Sequence, residues 1–280
     1  MTALRQAIAE AADVLAAAGI DTSRVDAEQL AAHIAGVDRG RLTFHEPDAT
    51  FFDRYREVVA ARSRRIPLQH LTTTAAFGPV TLAVGPGVFI PRPETEALLE
   101  WALARALSES PVIVDLCTGS GALAVALAQA RPKARVVAVD DSAEALSYAR
   151  RNGVGSAVEV VEADVTDADV LHDMVGCVDL VVANPPYIPE GAQLEPEVAE
   201  HDPPHALFGG PDGMRVIGPI VTLAARLLHP GGCVAVEHDD TTAAATMAVF
   251  EATGAFAEVT SHADLVGRPR FVTAMRNGSG

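Results

Sequence analysis

Apolar residues at Leu4, Ile8, Ala11 and Leu15 recur at intervals of three and four, the spacing of one helix face, and Gly19 stands where such a helix would stop. A second helix reads through Asp26-Ala27-Glu28-Gln29-Leu30-Ala31-Ala32-His33-Ile34 to Gly36, and a third from Phe52 to Arg65, closed by Pro67. Together they predict a small helical bundle over residues 1–67. The pattern then shortens. Phe77-Gly78-Pro79-Val80-Thr81-Leu82-Ala83-Val84, Gly85-Pro86-Gly87 and Val88-Phe89-Ile90-Pro91-Arg92-Pro93 read as β-like pieces with turn punctuation, which predicts a hairpin linker over 68–93.

Beyond Glu94, a helix over Thr95–Leu107 leads into alternating strands and helices. Strands are predicted at Val112–Leu116, Arg135–Val139, Val158–Glu162, Leu180–Ala183 and Cys233–Glu237. Helices are predicted at Ala122–Ala130, Ala143–Arg151 and Met214–Leu228. The tail adds a helix over Thr241–Thr253 and β-like pieces at Ala255–Thr260 and Arg270–Met275. Such alternation predicts a doubly wound α/β domain over 94–280 with a mostly parallel sheet.

Composition narrows the function classes. A chain of 280 residues suits one large or two unequal domains, and the pattern favours two. The formal charge is 21 − 37 = −16, which opposes nonspecific binding to a phosphate backbone, although it leaves room for a local basic cleft. Cys117, Cys177 and Cys233 show no C-x-x-C spacing, so neither a disulfide framework nor a zinc ribbon is expected, and a reduced cytosolic setting fits. Arg5, Glu10 and Asp13 interrupt the Ala-rich opening, so no membrane span is expected there.

The first parallel strand runs into Asp115-Leu116-Cys117-Thr118-Gly119-Ser120-Gly121-Ala122-Leu123-Ala124, where Gly119 and Gly121 permit a tight turn and a close ligand. The stretch also satisfies G-x-G-x-x-A, so a dinucleotide competes with S-adenosylmethionine. Asp140, ending the next strand, suits ribose hydroxyls in either ligand. Asp115 separates the two: a carboxylate there repels a pyrophosphate but suits the ammonium of a methionine moiety. Asp164, after the third strand, is placed to accept from an adenine amino group. Each Asp alone reads as a solvated loop residue or a helix cap. All three at successive strand ends, where open α/β sheets bind ligands, favour a site.

The segment Asn184-Pro185-Pro186-Tyr187 follows the strand expected beside the first. A planar NH2 group awaiting methylation needs both N–H bonds held by acceptors while its lone pair meets the methyl. The Asn184 side-chain carbonyl and the Pro185 backbone carbonyl supply two acceptors, Pro185 and Pro186 stiffen the backbone without competing donors, and Tyr187 can stack on the planar group. The plainer alternative is a rigid Pro-Pro turn with Asn184 bonding local backbone.

Further blocks carry a resemblance: Asp26-Ala27-Glu28, Phe89-Ile90-Pro91-Arg92-Pro93-Glu94-Thr95-Glu96, Asp115 to Gly121, Asn184 to Ile188, Ala206-Leu207-Phe208-Gly209-Gly210-Pro211-Asp212-Gly213, and Asp264-Leu265-Val266-Gly267-Arg268-Pro269-Arg270. Spanning nearly the whole chain, this set resembles the HemK/PrmC family of release factor glutamine methyltransferases. The resemblance implies a seven-stranded, Rossmann-like class I S-adenosylmethionine-dependent methyltransferase domain joined by a hairpin to a helical substrate-recognition domain. It also implies N5-methylation of the glutamine in the Gly-Gly-Gln loop of class 1 peptide-chain release factors, without a metal. By position it places the donor on Cys117, Thr118, Gly119, Ser120, Gly121, Asp140, Val165 and Asn184, and the substrate glutamine on Asn184, Pro185, Pro186 and Tyr187. Two departures stand out: Cys117 where the family commonly has Gly, and Gln69 to Thr73 in place of the usual linker Tyr and Gly.

Other clusters give weaker signals. His201, Asp202 and His205 invite a metal, but Pro203 and Pro204 preclude a helical i,i+4 pair. Glu237-His238-Asp239-Asp240 reads as a strand end with a helix cap. Arg92 and Glu94 read as a structural pair or a brace for the donor site. The rival functions are an adenine-N6 DNA methyltransferase, a dinucleotide oxidoreductase that leaves NPPY unexplained, and a noncatalytic adapter.

Overall fold

The computed structural model describes residues 3–264 and 266–278. Its chain divides into two compact units, one taking residues up to Thr74 together with Leu194–His201, the other holding Ala75–Gln193 and the chain from Asp202 onward.

The first unit contains α1 (Ala3–Ala17), α2 (Ser23–Ala35), α3 (Phe51–Ser63) and α4 (Leu68–Thr72). Leu4, Ile8, Ala11 and Leu15 are the buried face of α1, and Gly36 closes α2 in the left-handed conformation at φ 66°. Buried against them are Leu30, Phe51, Tyr55 and Val59. Tyr55 satisfies its hydroxyl on the Ala27 carbonyl at 2.8 Å. Inside this unit Arg62 pairs with Asp26 at 2.7 Å, and both side chains are buried. Residues 68–72, expected to be extended, form the short helix α4, because Pro67 caps its start and supplies the carbonyl that the His70 and Leu71 amides reach.

The second unit, from Ala75, opens on the hairpin of β1 (Thr74–Phe77), whose first residue is the last of the first unit's opening segment, and β2 (Val80–Ala83). Its turn falls at Gly78-Pro79, not at Gly85-Pro86-Gly87. Gly78 takes φ 49° and Pro fixes the next φ near −65°, a combination that suits a tight two-residue turn. Val88–Ile90 is not a strand.

Next come α5 (Thr95–Leu103), β3 (Val112–Leu116), α6 (Ala122–Ala130), β4 (Arg135–Asp140), α7 (Ala143–Asn152), β5 (Val158–Glu162) and β6 (Val178–Ala183). After α8 (Pro196–His201), which belongs to the first unit, follow α9 (Ile217–Leu227), β7 (Leu228–Glu237), α10 (Ala243–Ala252), β8 (Phe256–Ala263) and β9 (Pro269–Arg276). Helix α5 stops four residues short of the expected Leu107. The Arg131 guanidinium donates to the carbonyls of Ala102, Leu103 and Arg105, ending the helical ladder.

The seven strands lie in the order β5-β4-β3-β6-β7-β9-β8, with β9 antiparallel to both neighbours. This is the doubly wound α/β architecture read from the sequence. Side chains alternate across it: Ile113 and Val136 pack toward α5 and α6, while Val114 and Val137 pack toward α9. Both faces are covered, which is why the central strands read as continuous apolar runs. The order reverses between β3 and β6, so a crevice opens there at the carboxyl ends.

Candidate active site

Register sets the site. Leu116 pairs with Val139 on one side and Ala183 on the other, and Ala183 pairs with Val236. Asp140, Cys117, Asn184 and Glu237 therefore come one after another along the carboxyl edge of the four adjacent strands β4, β3, β6 and β7. A cavity of about 360 Å³ lies there, within the size range of small-molecule sites.

Of the residues singled out from the sequence, Asp115, Cys117, Thr118, Gly119, Ser120, Asp140, Asp164, Val165, Asn184, Pro185, Pro186 and Tyr187 all line this cavity. Gly121 does not. It stands at φ 83° as the N-cap of α6, and a Cβ there would come within 3.3 Å of Ala149 Cα, so its demand is for packing against α7.

Asp115 is 1 % exposed. One carboxylate oxygen accepts from the Thr118 hydroxyl at 2.6 Å and the Ala124 amide at 3.1 Å, while Oδ1 has no partner among the described residues. Burial raises its pKa to about 7, against the pull of those two hydrogen bonds. A buried acceptor left open beside a cavity fits a ligand ammonium. Asp140 accepts from the amides of Gly119 at 2.9 Å and Ser142 at 3.0 Å, which fixes its carboxylate at the cavity wall. Burial also raises its pKa. Each of its oxygens keeps a lone pair for a ribose hydroxyl. Asp164 is exposed at the rim and bonds the Thr166 hydroxyl and amide, which hold its pKa low. These groups fit S-adenosylmethionine at both its methionine and its nucleoside ends.

Cys117 takes φ 58°, the left-handed region that favours Gly. The unusual residue thus sits at an angle that glycine would adopt without strain. Burial first, and the ring of Asp140, Asp115, Asp141 and Asp164 after it, keep its thiol protonated.

Asn184 Nδ2 donates to the Thr95 hydroxyl at 3.1 Å, which leaves Oδ1 as an acceptor beside the cavity. Tyr187 does not have a free hydroxyl; it donates to Glu237 Oε1 at 2.8 Å. Burial raises its pKa well above the ordinary value, with the Glu237 charge adding to the effect. Behind the prolines, Ile188 N–H donates to the Leu207 carbonyl and Gly209 N–H to the Ile188 carbonyl, each at 2.9 Å. A Cβ on Gly209 would fall 2.5 Å from the Pro186 carbonyl oxygen, and one on Gly213 2.2 Å from that of Tyr187. The Ala206–Gly213 block is therefore the backing of the NPPY backbone.

The sequence match runs over the whole chain. Residues 6–72 match the PrmC N-terminal domain model, and residues 82–201 match the methyltransferase small domain model. The release factor glutamine methyltransferase of Mycolicibacterium smegmatis is 66 % identical, covering 99 % of each chain. The chain belongs to the HemK/PrmC methyltransferase family. Another relative, the release factor glutamine methyltransferase of Mycobacterium tuberculosis, is 62 % identical over 98 % of this chain and 92 % of its own. The 4-amino-L-phenylalanine/4-methylamino-L-phenylalanine methyltransferase of Streptomyces pristinaespiralis is 40 % identical over 98 % and 95 %.

Several residues beside the HemK/PrmC site take partners that the sequence reading did not give them. Arg92 pairs with Asp202, not Glu94, and His205 pairs with Asp141 at 2.7 Å on the cavity rim. Thr95 and Glu237 meet Asn184 and Tyr187. The signal for Glu237 was present: like Asp115 and Asp140, it is an acid at the carboxyl end of a predicted strand. Leu265 of the Asp264–Arg270 block lies outside the described residues.

Proposed function

We propose that this protein transfers a methyl group from S-adenosylmethionine to the side-chain amide nitrogen of the glutamine in the Gly-Gly-Gln loop of class 1 peptide-chain release factors. The observation that carries the chemistry is Asn184: its N–H is spent on Thr95, so its carbonyl oxygen remains for an incoming NH2 group. The substrate class is supported by relatives at 62–66 % identity over nearly the full chain that bear the name release factor glutamine methyltransferase.

S-adenosylmethionine supplies an electrophilic sulfonium methyl. Asp115 holds the ammonium and Asp140 the ribose, with Cys117 to Ser120 and Val165 along the wall and Asp164 toward the adenine. Asn184 Oδ1 and the Pro185 carbonyl accept the two N–H bonds of the substrate amide and set its plane, so that its nitrogen faces the methyl. Pro186 stiffens the chain and the Tyr187 ring packs on the amide. Alignment and exclusion of water carry the rate, and no strong base is assigned.

The relative named for 4-amino-L-phenylalanine suggests that the same scaffold serves other planar amino groups. Adenine in DNA is the second reading, disfavoured by the net charge of −16. No described helix is long and apolar enough to cross a membrane. A release factor substrate places the work in the cytoplasm, with no metal required.

The test is mass spectrometry of a class 1 release factor incubated with the protein and S-adenosylmethionine, alongside an adenine-containing duplex. One methyl added on the Gly-Gly-Gln glutamine is the expected result. A methylated duplex with an untouched release factor overturns the reading.

A further inference from the structure

Glu144, Tyr148 and Asn152 stand four apart on α7, which puts them on one helix face, and all three meet the chain that leaves β2. A Cβ on Gly87 would collide with the Glu144 carboxyl group, and one on Gly85 would fall 2.6 Å from the Tyr148 hydroxyl, which itself donates to the Pro86 carbonyl at 3.3 Å. Asn152, the last residue of α7, faces Ala83.

The Asn152 amide makes three hydrogen bonds. Its Oδ1 accepts from the Ala83 amide at 2.7 Å and its Nδ2 donates to the Ala83 carbonyl at 3.0 Å, so the side chain pairs with the end of β2 as a neighbouring strand would. Nδ2 also donates to the Ser120 carbonyl at 2.9 Å. The Ala124 amide, which in a regular helix would reach back to that carbonyl, is taken by Asp115 Oδ2 at 3.1 Å. These partners fix the orientation of the side chain, because only its NH2 end can meet two carbonyls.

Ser120 belongs to a loop that needs such ties. Cys117, Gly119 and Gly121 all take positive φ, at 58°, 56° and 83°, and Ser120 is 2 % exposed between the last two. On the other side of Asn152, the chain beyond Ala83 contributes Gly87, Phe89 and Pro91 to the cavity wall. Asn152 lies off that wall and holds two of its pieces together from behind.

We propose that Asn152 is a positioning residue for S-adenosylmethionine: its amide fastens the donor loop at Ser120 to the linker at Ala83, so that the two walls close on the donor as one piece. Without this tie the donor loop is in the binding geometry only part of the time, and the apparent affinity falls by that fraction. Donor binding restores the geometry, so the rate at saturation is kept.

The inference rests on the donor reading, and titration calorimetry with S-adenosylmethionine on the unaltered protein comes first: failure to bind overturns that reading and the inference with it. In Asn152→Ala the dissociation constant is expected to rise roughly tenfold, the order of one lost hydrogen bond, while kcat at saturating donor stays within about twofold. Asn152→Asp keeps the shape but turns a carboxylate oxygen on two carbonyls, and is expected to weaken binding at least as much. Arg276→Ala removes comparable bonds, to the Ala225 and Ala255 carbonyls, and controls for lost stability alone; its donor affinity is expected to be unchanged. Hydrogen exchange gives a readout away from the cavity. Donor binding is expected to slow exchange of the Ala83 amide in the parent and to leave it fast in Asn152→Ala. Parental affinity in Asn152→Ala, an equal loss in Arg276→Ala, or an Ala83 amide that ignores the donor in the parent overturns the inference and leaves the donor reading standing.

Discussion

Asn184 Nδ2 donates to Thr95 Oγ1 at 3.1 Å, tying the residue that follows β6 to the first residue of α5. The bond commits one side of the amide and leaves the other for substrate. Asn184→Ala is expected to lower methyl transfer by roughly 100-fold or more, the cost of removing one preorganised hydrogen-bonding group at a reacting centre. The fold should persist, because the variant removes a single side-chain hydrogen bond and leaves the strand pairing of β6 intact. Mass spectrometry of the release factor and circular dichroism of the variant check both halves, and turnover at the wild-type rate would remove the role given to the amide.

Asp115 predicts a trade between stability and donor binding. Its carboxyl is raised to about 7 by burial, whereas an unfolded Asp titrates near 3.9. Over that interval the folded state holds a proton that the unfolded state has released. The group therefore costs nothing below about pH 4, costs progressively more up to about pH 7, and costs a constant amount above. Asp115→Asn is expected to raise the Tm of the donor-free protein more at pH 8 than at pH 5. It should also weaken S-adenosylmethionine binding by roughly 10- to 100-fold, the worth of a hydrogen bond to a charged group. Calorimetry at the two pH values, with titration of the donor, measures both. Equal Tm shifts would refute the buried charge.

Gly209 lies against the NPPY backbone, and the 2.5 Å approach of a Cβ to the Pro186 carbonyl allows no side chain. Gly209→Ala is expected to push the prolines outward and cut kcat roughly tenfold or more, since small misplacements of reacting groups are costly. Donor affinity should change little, because Gly209 is not on the cavity wall. Steady-state kinetics in both substrates separates these effects. A loss confined to donor KM would contradict the backing role.

The helical unit makes its own prediction. Arg62 and Asp26 are buried together, and Arg62 Nη1 also reaches Glu197 at 3.0 Å in the same unit. Arg62→Ala leaves the Asp26 carboxylate without its partner, and breaking a buried pair from one side costs about 3–5 kcal/mol. Denaturant unfolding should show a loss of that order. The double variant with Asp26→Ala should lose less than the sum of the two single variants.

The parts of the fold that were legible in the sequence are those where one periodicity governs a whole element. Leu4, Ile8, Ala11 and Leu15 give α1, and the apolar runs of the central strands give the sheet, because burial on one or two faces writes itself into spacing. Elements decided by single long-range contacts were not legible. The end of α5 depends on Arg131, distant in sequence, and the hairpin turn at Gly78-Pro79 competed with an equally turn-like Gly85-Pro86-Gly87. In the site, the acids at strand ends were readable from position alone. Thr95 was not, since its use depends on α5 meeting β6 and β7 in space. Glu237 shared the strand-end position of the other acids, but its neighbours His238, Asp239 and Asp240 made it resemble a solvated cap.

Cys117 offers a test of backbone strain at the donor loop. A side chain at φ 58° costs roughly 1–2 kcal/mol relative to the ordinary regions. Glycine there avoids that cost but brings a more flexible unfolded chain, worth roughly 0.5–1 kcal/mol in the other direction. The difference favours Cys117→Gly by up to about 1.5 kcal/mol, which corresponds to a rise in Tm of up to about 3–6 °C for a chain of this size. Cys117→Val should move the other way, because a β-branched side chain tolerates the left-handed region least. Thermal unfolding of the two variants, followed at one pH below the range of Asp115 titration, separates strain from charge. A Cys117→Gly variant no more stable than the parent would mean that the packing of Cys117 against the apolar cluster on this face of the sheet recovers what the backbone angle costs.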